Sequence, residues 1–239
     1  MIYDIAGLRM AIDNRLNFTA RFCEKYVSGD QTSPVDLRAA VTDKEFYAEK
    51  AVANGNFSDG YIENICMYRK ICKQLPVFNR MLLHAAVLAY DNAGYAFLGR
   101  SGTGKSTHTG LWLKHIPGTK IVNGDKPILS YVDGEFTAYG TPWMGKEGLG
   151  ENTSVPLKGL CFLEQAKENS IRRLSVNEAA KRVFVQVLIP EEEENAKRTL
   201  ELIDKLIATV PCYVLQCDIS ETAVQTSFEM MTGKLYSQK

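Results

Sequence analysis

Residues 99–106 read GRSGTGKS, from Gly99 to Ser106, and this octapeptide fits the phosphate-loop pattern G-x-x-x-x-G-K-[ST]. In that pattern the glycines allow positive φ angles, and consecutive backbone N–H groups form a concavity that binds anions. Lys105 is expected to reach the β- and γ-phosphates of ATP, and Ser106 to bind Mg²⁺. The residues predicted to bind the nucleotide are Ser101, Gly102, Thr103, Gly104, Lys105, Ser106 and Thr107.

The sequence on both sides of the octapeptide supports this interpretation. The apolar run YAFL at residues 95–98 is typical of a strand, and residues 105–114 contain no proline and predict a helix. Strand, loop and helix in this order are the context in which the pattern binds phosphate. The alternative is a glycine-rich turn that binds nothing, and the context argues against it.

Composition limits the class of protein. The 239 residues contain 28 Lys and Arg and 28 Asp and Glu, so the formal net charge is zero, and neither a nucleic acid nor a membrane surface is an expected partner. The start of the chain carries acid instead of the basic segment of a signal peptide, and we expect a cytoplasmic protein. The six cysteines lack zinc-site spacing and are expected to be reduced and mostly buried.

We expect one domain over residues 1–239, in which residues 1–78 are an N-terminal elaboration packed on a nucleotide-binding core. In this first third the pattern predicts a strand over 2–12, a helix over 17–26, a strand over 35–41, a helix from a Thr42–Glu45 capping box, and a helix over 61–75 that Pro76 ends.

The rest of the chain alternates strands and helices. The predicted strands cover 82–90 and 94–98 as one hairpin, 120–122, 128–131 and 135–139 as a second hairpin, 158–164, and 212–216. Besides the helix after the phosphate loop, helices are predicted over 177–187, from Pro190 to about 209, and from Ser220 onward.

Two residues outside the loop are candidates for the same site. Asp125 follows the strand over 120–122, where a carboxylate commonly meets the Mg²⁺ of a phosphate-loop protein. Asn-Gly-Asp is also ordinary turn chemistry, which is the alternative. His84 either lies near the nucleotide or is a hydrogen-bonded core histidine. His108, on the predicted loop helix, either faces the site or faces solvent.

A glycine-rich segment covers residues 140–152 and contains four glycines. A loop of this length can place Lys146 or Glu147 over a bound phosphate or acceptor, although a long surface connection is the alternative. Arg172 and Arg173 either clamp an anionic substrate or cap the surface. The acidic run over 191–194 is expected to begin a helix and not to act in catalysis.

Together these motifs resemble a known family. The run HAAV at 84–87, the phosphate loop, NGD at 123–125 and the glycine-rich loop are similar to the HPr kinase/phosphorylase catalytic domain, which shares its fold with ATP-dependent phosphoenolpyruvate carboxykinase. The resemblance covers about residues 80–165. It implies an α/β (α+β) nucleotide-binding fold with a mixed β-sheet and flanking helices, and it places Ser106 and Asp125 at the metal and His84 before the nucleotide strand.

The chain departs from that family beside Asp125. The family carries two consecutive aspartates, whereas this chain has only one, between Gly124 and Lys126. The resemblance therefore leaves the general base open among His84, Glu147 and Asp125.

These observations predict a Mg²⁺-dependent kinase that transfers the γ-phosphate of ATP to a hydroxyl of a protein, peptide or small molecule. The predicted catalytic residues are His84, Lys105, Asp125, Lys146 and Glu147. The alternatives are an ATP-binding sensor without turnover and a carboxykinase-like enzyme. A homo-oligomer is possible.

Overall fold

Two β-sheets organise the chain in a computed structural model that describes residues 1–237. The smaller sheet contains β1 (Ile2–Ile5), β2 (Leu8–Asp13) and β3 (Leu37–Ala40), with β1 antiparallel and β3 parallel to β2. The strand predicted over 2–12 is thus two strands. Ala6 and Gly7 both have positive φ, 53° and 69°, as the tight turn of a two-residue hairpin requires.

The larger sheet is mixed and has nine strands. They are β4 (Arg80–Leu82), β5 (Ala85–Tyr90), β6 (Ala93–Leu98), β7 (Lys120–Asn123), β8 (Ile128–Val132), β9 (Glu135–Tyr139), β10 (Ser154–Gln165), β11 (Ser170–Arg173) and β12 (Cys212–Cys217). The order β4-β8-β9-β10-β6-β5-β7 curls around β10, which pairs first with β9 and then with β6 and β12. Both predicted hairpins are present, although the first begins at Ala85 and not at residue 82, which belongs to β4 and pairs with β8.

Seven α-helices flank the sheets within residues 1–237. They are α1 (Asn17–Phe22), α2 (Asp43–Val52), α3 (Asp59–Gln74), α4 (Lys105–His115), α5 (Val176–Phe184), α6 (Glu193–Thr209) and α7 (Glu221–Thr232). The capping box predicted at the start of α2 is present, with Thr42 and Glu45 bonded reciprocally. No helix in this part of the chain is both long and apolar enough to cross a membrane.

Each face of the larger sheet has its own apolar layer. One layer packs α4 and α7 against the sheet through Trp112 and Phe228, and the other packs α5 and α6 through Val183 and Leu206. A third cluster joins the small sheet to α2 and α3 and extends to Trp143 of the glycine-rich segment. The fold is therefore mixed α/β with a curled mixed sheet and flanking helices, as the sequence predicted in outline.

Some element boundaries differ from the sequence prediction for tertiary reasons. The helix predicted over 177–187 ends at Phe184, because Val187 forms a β-bridge with Leu83 and the Gln186 carbonyl accepts from the His84 N–H at 2.8 Å. The helix predicted over 17–26 ends at Phe22 and is followed by a single 3-10 turn. The strand predicted over 158–164 extends from Ser154 to Gln165.

Candidate active site

Strand order brings three distant segments to one edge of the larger sheet. β5 lies between β6 and β7 and runs antiparallel to both, so it begins where the other two end. His84 immediately precedes β5, Gly99 immediately follows β6, and Gly124 follows β7. Because the β-sheet register pairs Ala85 with Leu98, the histidine and the phosphate-loop sequence are neighbours.

The loop over residues 99–104 has the backbone that its glycines predict. Gly102 and Gly104 have φ of 83° and 101°, and Gly104 is the N-cap of α4. Within residues 1–237, no heavy atom beyond the adjacent residues lies within 4 Å of where a Cβ would stand on either glycine, so the space above them is open. The helix start therefore presents free N–H groups and a positive dipole end to the adjacent cavity. The Thr103 hydroxyl instead donates back to the Arg100 carbonyl at 2.8 Å.

Lys105 is buried, with 8% of its surface exposed. Its ammonium group donates to the Gly99 carbonyl at 2.8 Å and to the Arg100 carbonyl at 3.4 Å. Desolvation lowers the pKa of Lys105, while nearby Asp125 acts in the opposite direction. A buried cation whose hydrogen-bond partners within residues 1–237 are two loop carbonyls is well suited to binding an anion.

Asp125 is the acidic centre of the site. Its Oδ1 lies 3.1 Å from His84 Nε2, and its Oδ2 contacts the Lys126 ammonium group. Desolvation would raise the pKa of Asp125, but the hydrogen bonds from His84 and Lys126 outweigh it and lower the pKa to about 2. The carboxylate is therefore ionised across the physiological range.

Buried polar side chains fix the backbone around Asp125. The Asn123 Oδ1 atom accepts from the N–H groups of Asp125 and Lys126 at 2.9 and 2.7 Å. Asn123 Nδ2 donates to the backbone carbonyl and the hydroxyl of Thr141, both at 3.1 Å, and that hydroxyl donates to the Lys126 carbonyl at 2.7 Å. Asn123 and Thr141 are both fully buried. This hydrogen-bond network fixes the position of the Asp125 backbone and therefore of its carboxylate.

The glycine-rich segment over 140–152 lies across the same edge. The Gly124 N–H donates to the Leu149 carbonyl at 2.9 Å, which holds the segment beside β7. Gly145 has φ of 81°, and a Cβ there would stand 2.9 Å from the Asp125 Cβ. Lys146 and Glu147 follow, are exposed and line the cavity. The segment therefore forms part of the cavity wall.

The N-terminal part of the chain supplies the opposite wall. One stripe of α3, at residues 61, 64, 65 and 68, lines the cavity together with Phe22 of α1. The Tyr68 ring lies 6.0 Å from the Lys126 ammonium group and 5.9 Å from the Trp143 ring. Glu63, fully buried, accepts from the backbone N–H groups of Arg15 and Leu16 at 2.7 and 2.9 Å and so ties the start of α1 to α3.

These walls enclose a cavity of about 780 Å³. It is within the size range of small-molecule sites, about 300–1,000 Å³. The predicted site residues that line it are His84, Ser101, Gly102, Gly104, Lys105, Ser106, Thr107, Asp125, Lys146 and Glu147. The predicted nucleotide-binding residue outside this lining is Thr103.

Sequence reasoning missed the residues of the second wall and Lys126 as a member of the site. Tyr61, Ile65 and Tyr68 recur at helical spacing and so form an apolar stripe on one face of α3. This stripe was the sequence signal that could have indicated the second wall. The buried face of the same helix, with Ile62 and Ile71, has the same period, so the stripe was not separable from core without the fold.

Other candidates lie away from the cavity. His108 faces neither the site nor solvent, since it is buried and packs against Phe97 with ring centroids 4.9 Å apart. Arg172 forms an exposed two-pronged ion pair with Glu178, with separations of 3.2 and 2.7 Å. Glu192 caps α6, its carboxylate accepting from the N–H groups of residues 194 and 195. All six cysteines are free thiols.

Comparisons with known proteins give a family match and, among solved structures, a weak structural likeness. The family model described as "SynChlorMet cassette protein ScmC" matches residues 57–226, more than half of the chain. The solved structure titled "Structure of the Hpr(Ser) kinase/phosphatase from Coxiella burnetii" is 14% identical, covers 64% of this chain and 93% of its own, and has a TM-score of 0.34. At this level of similarity, no residue role passes from that protein to this chain. No curated protein matches the chain.

Proposed function

The chain belongs to the family of SynChlorMet cassette protein ScmC, and we propose that it is a kinase that transfers the γ-phosphate of ATP to a hydroxyl group. One observation carries the proposal. One cavity is lined by the phosphate-loop sequence, by the buried Lys105, and by the ionised Asp125 with its partner His84. The proposal includes the nucleotide-binding fold of the HPr kinase/phosphorylase family, whose motifs the sequence resembles.

The phosphate loop supports the nucleotide part of the proposal. The positive-φ glycines leave the start of α4 open, so backbone N–H groups can approach phosphate oxygens without a side chain between them. Lys105 then exchanges its two carbonyl partners for the β- and γ-phosphates. Such exchange is favourable because the ammonium group then faces anionic phosphate oxygens in place of neutral carbonyls.

The residues present fit a magnesium ion bound together with ATP. In nucleotide sites Mg²⁺ takes one or two protein oxygens and completes its shell with phosphate and water. The Ser106 hydroxyl and the Asp125 carboxylate both line the cavity and supply two such oxygens. When bound, the ion would neutralise charge on the phosphates.

The proposed transfer balances as a single displacement. The acceptor oxygen forms a bond to the γ-phosphorus, and the bond from that phosphorus to the bridging oxygen breaks with its electron pair on ADP. The acceptor proton passes to the pair of Asp125 and His84. Because the transition state of such transfers is loose in most analyses, positioning and charge matter more than a strong base. A low pKa at Asp125 is compatible with that role.

We infer where an acceptor enters from the position of α3. Tyr68 contacts Lys126, which contacts Asp125, so the aromatic wall lies at the aspartate end of the cavity. An acceptor must approach the γ-phosphorus opposite the leaving oxygen, beyond the phosphates. We therefore place the acceptor between α3 and the glycine-rich segment, with Lys146 and Glu147 within its reach.

One observation favours a second candidate, an ATP-binding sensor without turnover. Both carboxylate oxygens of Asp125 already have partners, His84 and Lys126, so neither is free in this structure. Nothing favours a carboxykinase-like reaction, since residues 1–237 contain no group of three or more His, Cys, Asp or Glu arranged to hold a metal.

Turnover separates the candidates. The purified 239-residue chain is incubated with ATP, Mg²⁺ and a hydroxyl acceptor, ADP release is measured, and ATP affinity is measured by titration. For Lys105→Met we expect ATP affinity about 10–100-fold weaker, the value of one or two lost charge-assisted bonds. Lys114→Met, an exposed lysine of the same helix, is the control and keeps wild-type values.

Each other outcome has a distinct meaning. ATP binding without ADP release from the wild type would replace the kinase by the sensor. Unchanged ATP affinity in Lys105→Met would remove the nucleotide site itself. Release of CO₂ that depends on oxaloacetate would establish the carboxykinase-like reaction instead.

A further inference from the structure

Lys126 is a second lysine at the aspartate end of the cavity. Its ammonium group contacts the Asp125 carboxylate on one side and lies 6.0 Å from the centre of the Tyr68 ring on the other. A quarter of its side-chain surface is exposed, 25%, and it lines the cavity. The ammonium group is therefore inside the site and has access to a ligand there.

The position of Lys126 is built from within the protein. Its backbone N–H donates to Asn123 and its carbonyl accepts from Thr141, each at 2.7 Å. Both partners are fully buried. The same contacts place Asp125, so the carboxylate and the ammonium group are positioned as a pair.

The charged residues that line the cavity are compatible with Lys126 binding a phosphate. Asp125 is the carboxylate at this end, and Glu147 is the other acidic residue that lines the cavity. Three lysines, Lys105, Lys126 and Lys146, line the cavity together with these two carboxylates, so the cavity is not acidic before a nucleotide enters. A transferring phosphoryl group spreads negative charge over its oxygens, and a fixed cation stabilises that charge.

We propose that Lys126 is a catalytic residue of the phosphoryl transfer, an inference that rests on the function proposed above. With ATP bound, its ammonium group contacts oxygens of the γ-phosphoryl group while Lys105 holds the phosphates from the loop side. The two lysines then enclose the transferring group from opposite ends. When the Lys126 ammonium group leaves Asp125, one carboxylate oxygen of Asp125 becomes free for the acceptor hydroxyl.

The experiment measures ADP release from Mg²⁺ and ATP, with water as the acceptor, in the wild type and in Lys126→Met and Lys126→Arg. We expect kcat to fall roughly 100-fold in Lys126→Met, as for removal of one group that stabilises transition-state charge. Lys126→Arg should recover part of it. ADP affinity should stay within about two-fold, since the lysine contacts only the γ-phosphoryl group.

Lys158→Met is the matched control. Lys158 pairs with Glu135 at 3.3 Å in an exposed ion pair away from the cavity, so its loss should leave kcat unchanged. Where Lys126→Met does not fold, as judged by circular dichroism, Lys126→Gln gives the result in its place.

The outcomes separate this inference from the proposed function. If the wild type turns over and the neutral variant keeps kcat within about three-fold, Lys126 is not catalytic while the kinase stands. An equal loss of ADP and ATP affinity would mean that Lys126 supports the fold of the site and not the transfer. A wild type that releases no ADP would overturn both.

Discussion

The Nε2 atom of His84 lies 3.1 Å from the Oδ1 atom of Asp125, although 40 residues separate them in the chain. The backbone reinforces this contact, since the Ala85 N–H donates to the Asp125 carbonyl at 3.0 Å. Both residues stand at the strand edge where β5 begins and β7 ends. The histidine orients the carboxylate, and this pair receives the acceptor proton in the proposed transfer.

Replacing Asp125 by Asn should abolish most turnover, since the amide is neither an anion for a metal nor a proton acceptor. We expect kcat for ADP release to fall by roughly 100-fold or more. His84→Gln should cost less, about 10-fold, because the carboxylate remains. Asp133→Asn, in the turn between β8 and β9, is the control and should be neutral. Wild-type turnover in Asp125→Asn would contradict the assignment.

Asn123→Ala should destabilise the fold as well as the site. The change leaves two backbone N–H groups and the Thr141 side chain without their buried partner. We expect the free energy of unfolding in urea to fall by about 2–3 kcal/mol. Asn152→Ala removes only an exposed bond of 3.4 Å and should change it by less than about 0.5 kcal/mol. Equal effects would show that the network is not stabilising.

Trp143 should report on ligands, because it lines the cavity beside Tyr68. The only other tryptophan, Trp112, is fully buried between α4 and α7. We expect ATP to change the intrinsic fluorescence of the wild type and of Trp112→Phe, and to have no effect on the fluorescence of Trp143→Phe. A ligand signal that survives in Trp143→Phe would place nucleotide binding elsewhere.

His108 should make stability depend on pH. It is buried, and desolvation lowers its pKa to about 4 from 6.5. The unfolded chain takes up the proton below pH 6.5 while the folded chain resists it, so stability falls as the pH drops from 6.5 to about 4. The loss over this window is on the order of 3 kcal/mol.

The measurement is the free energy of unfolding against pH, by urea denaturation. His108→Leu should lose the dependence of stability on pH between pH 6.5 and 5, whatever its absolute stability, and His115→Gln should keep it.

The hydrogen bonds of His108 explain why its neutral form is favoured. Ser227 Oγ donates to the Val224 carbonyl and accepts from Trp112, so it can only accept from His108 Nε2–H at 3.0 Å. The buried Nδ1 atom has no partner in the described part of the chain. An unchanged slope in His108→Leu would exclude this histidine as its source.

Local pattern was enough to predict much of the larger sheet. The strand β6, the glycine loop and the helix α4 follow from apolar runs, two positive-φ glycines and the absence of proline. Each depends on interactions among residues close in sequence, so it is visible in sequence. The same holds for the capping box that begins α2.

Partners far apart in sequence were not predictable in this way. Three contacts join residues more than 40 positions apart. They are those of Lys126 with Tyr68, of His108 with Ser227, and of Glu63 with the backbone at the start of α1. No local pattern distinguishes the cavity-facing stripe of α3 from its core-facing stripe, because both repeat with the helical period.

The sequence by itself determined the backbone of the phosphate loop, since glycine at 102 and 104 removes the steric penalty of positive φ. Only the tertiary structure decided which side chains meet that loop. The antiparallel course of β5 between β6 and β7 brings His84 and Asp125 to one edge, and α3 closes the cavity with Tyr68 and Asn64. Strand order depends on burial of the whole sheet, which no single stretch of sequence encodes.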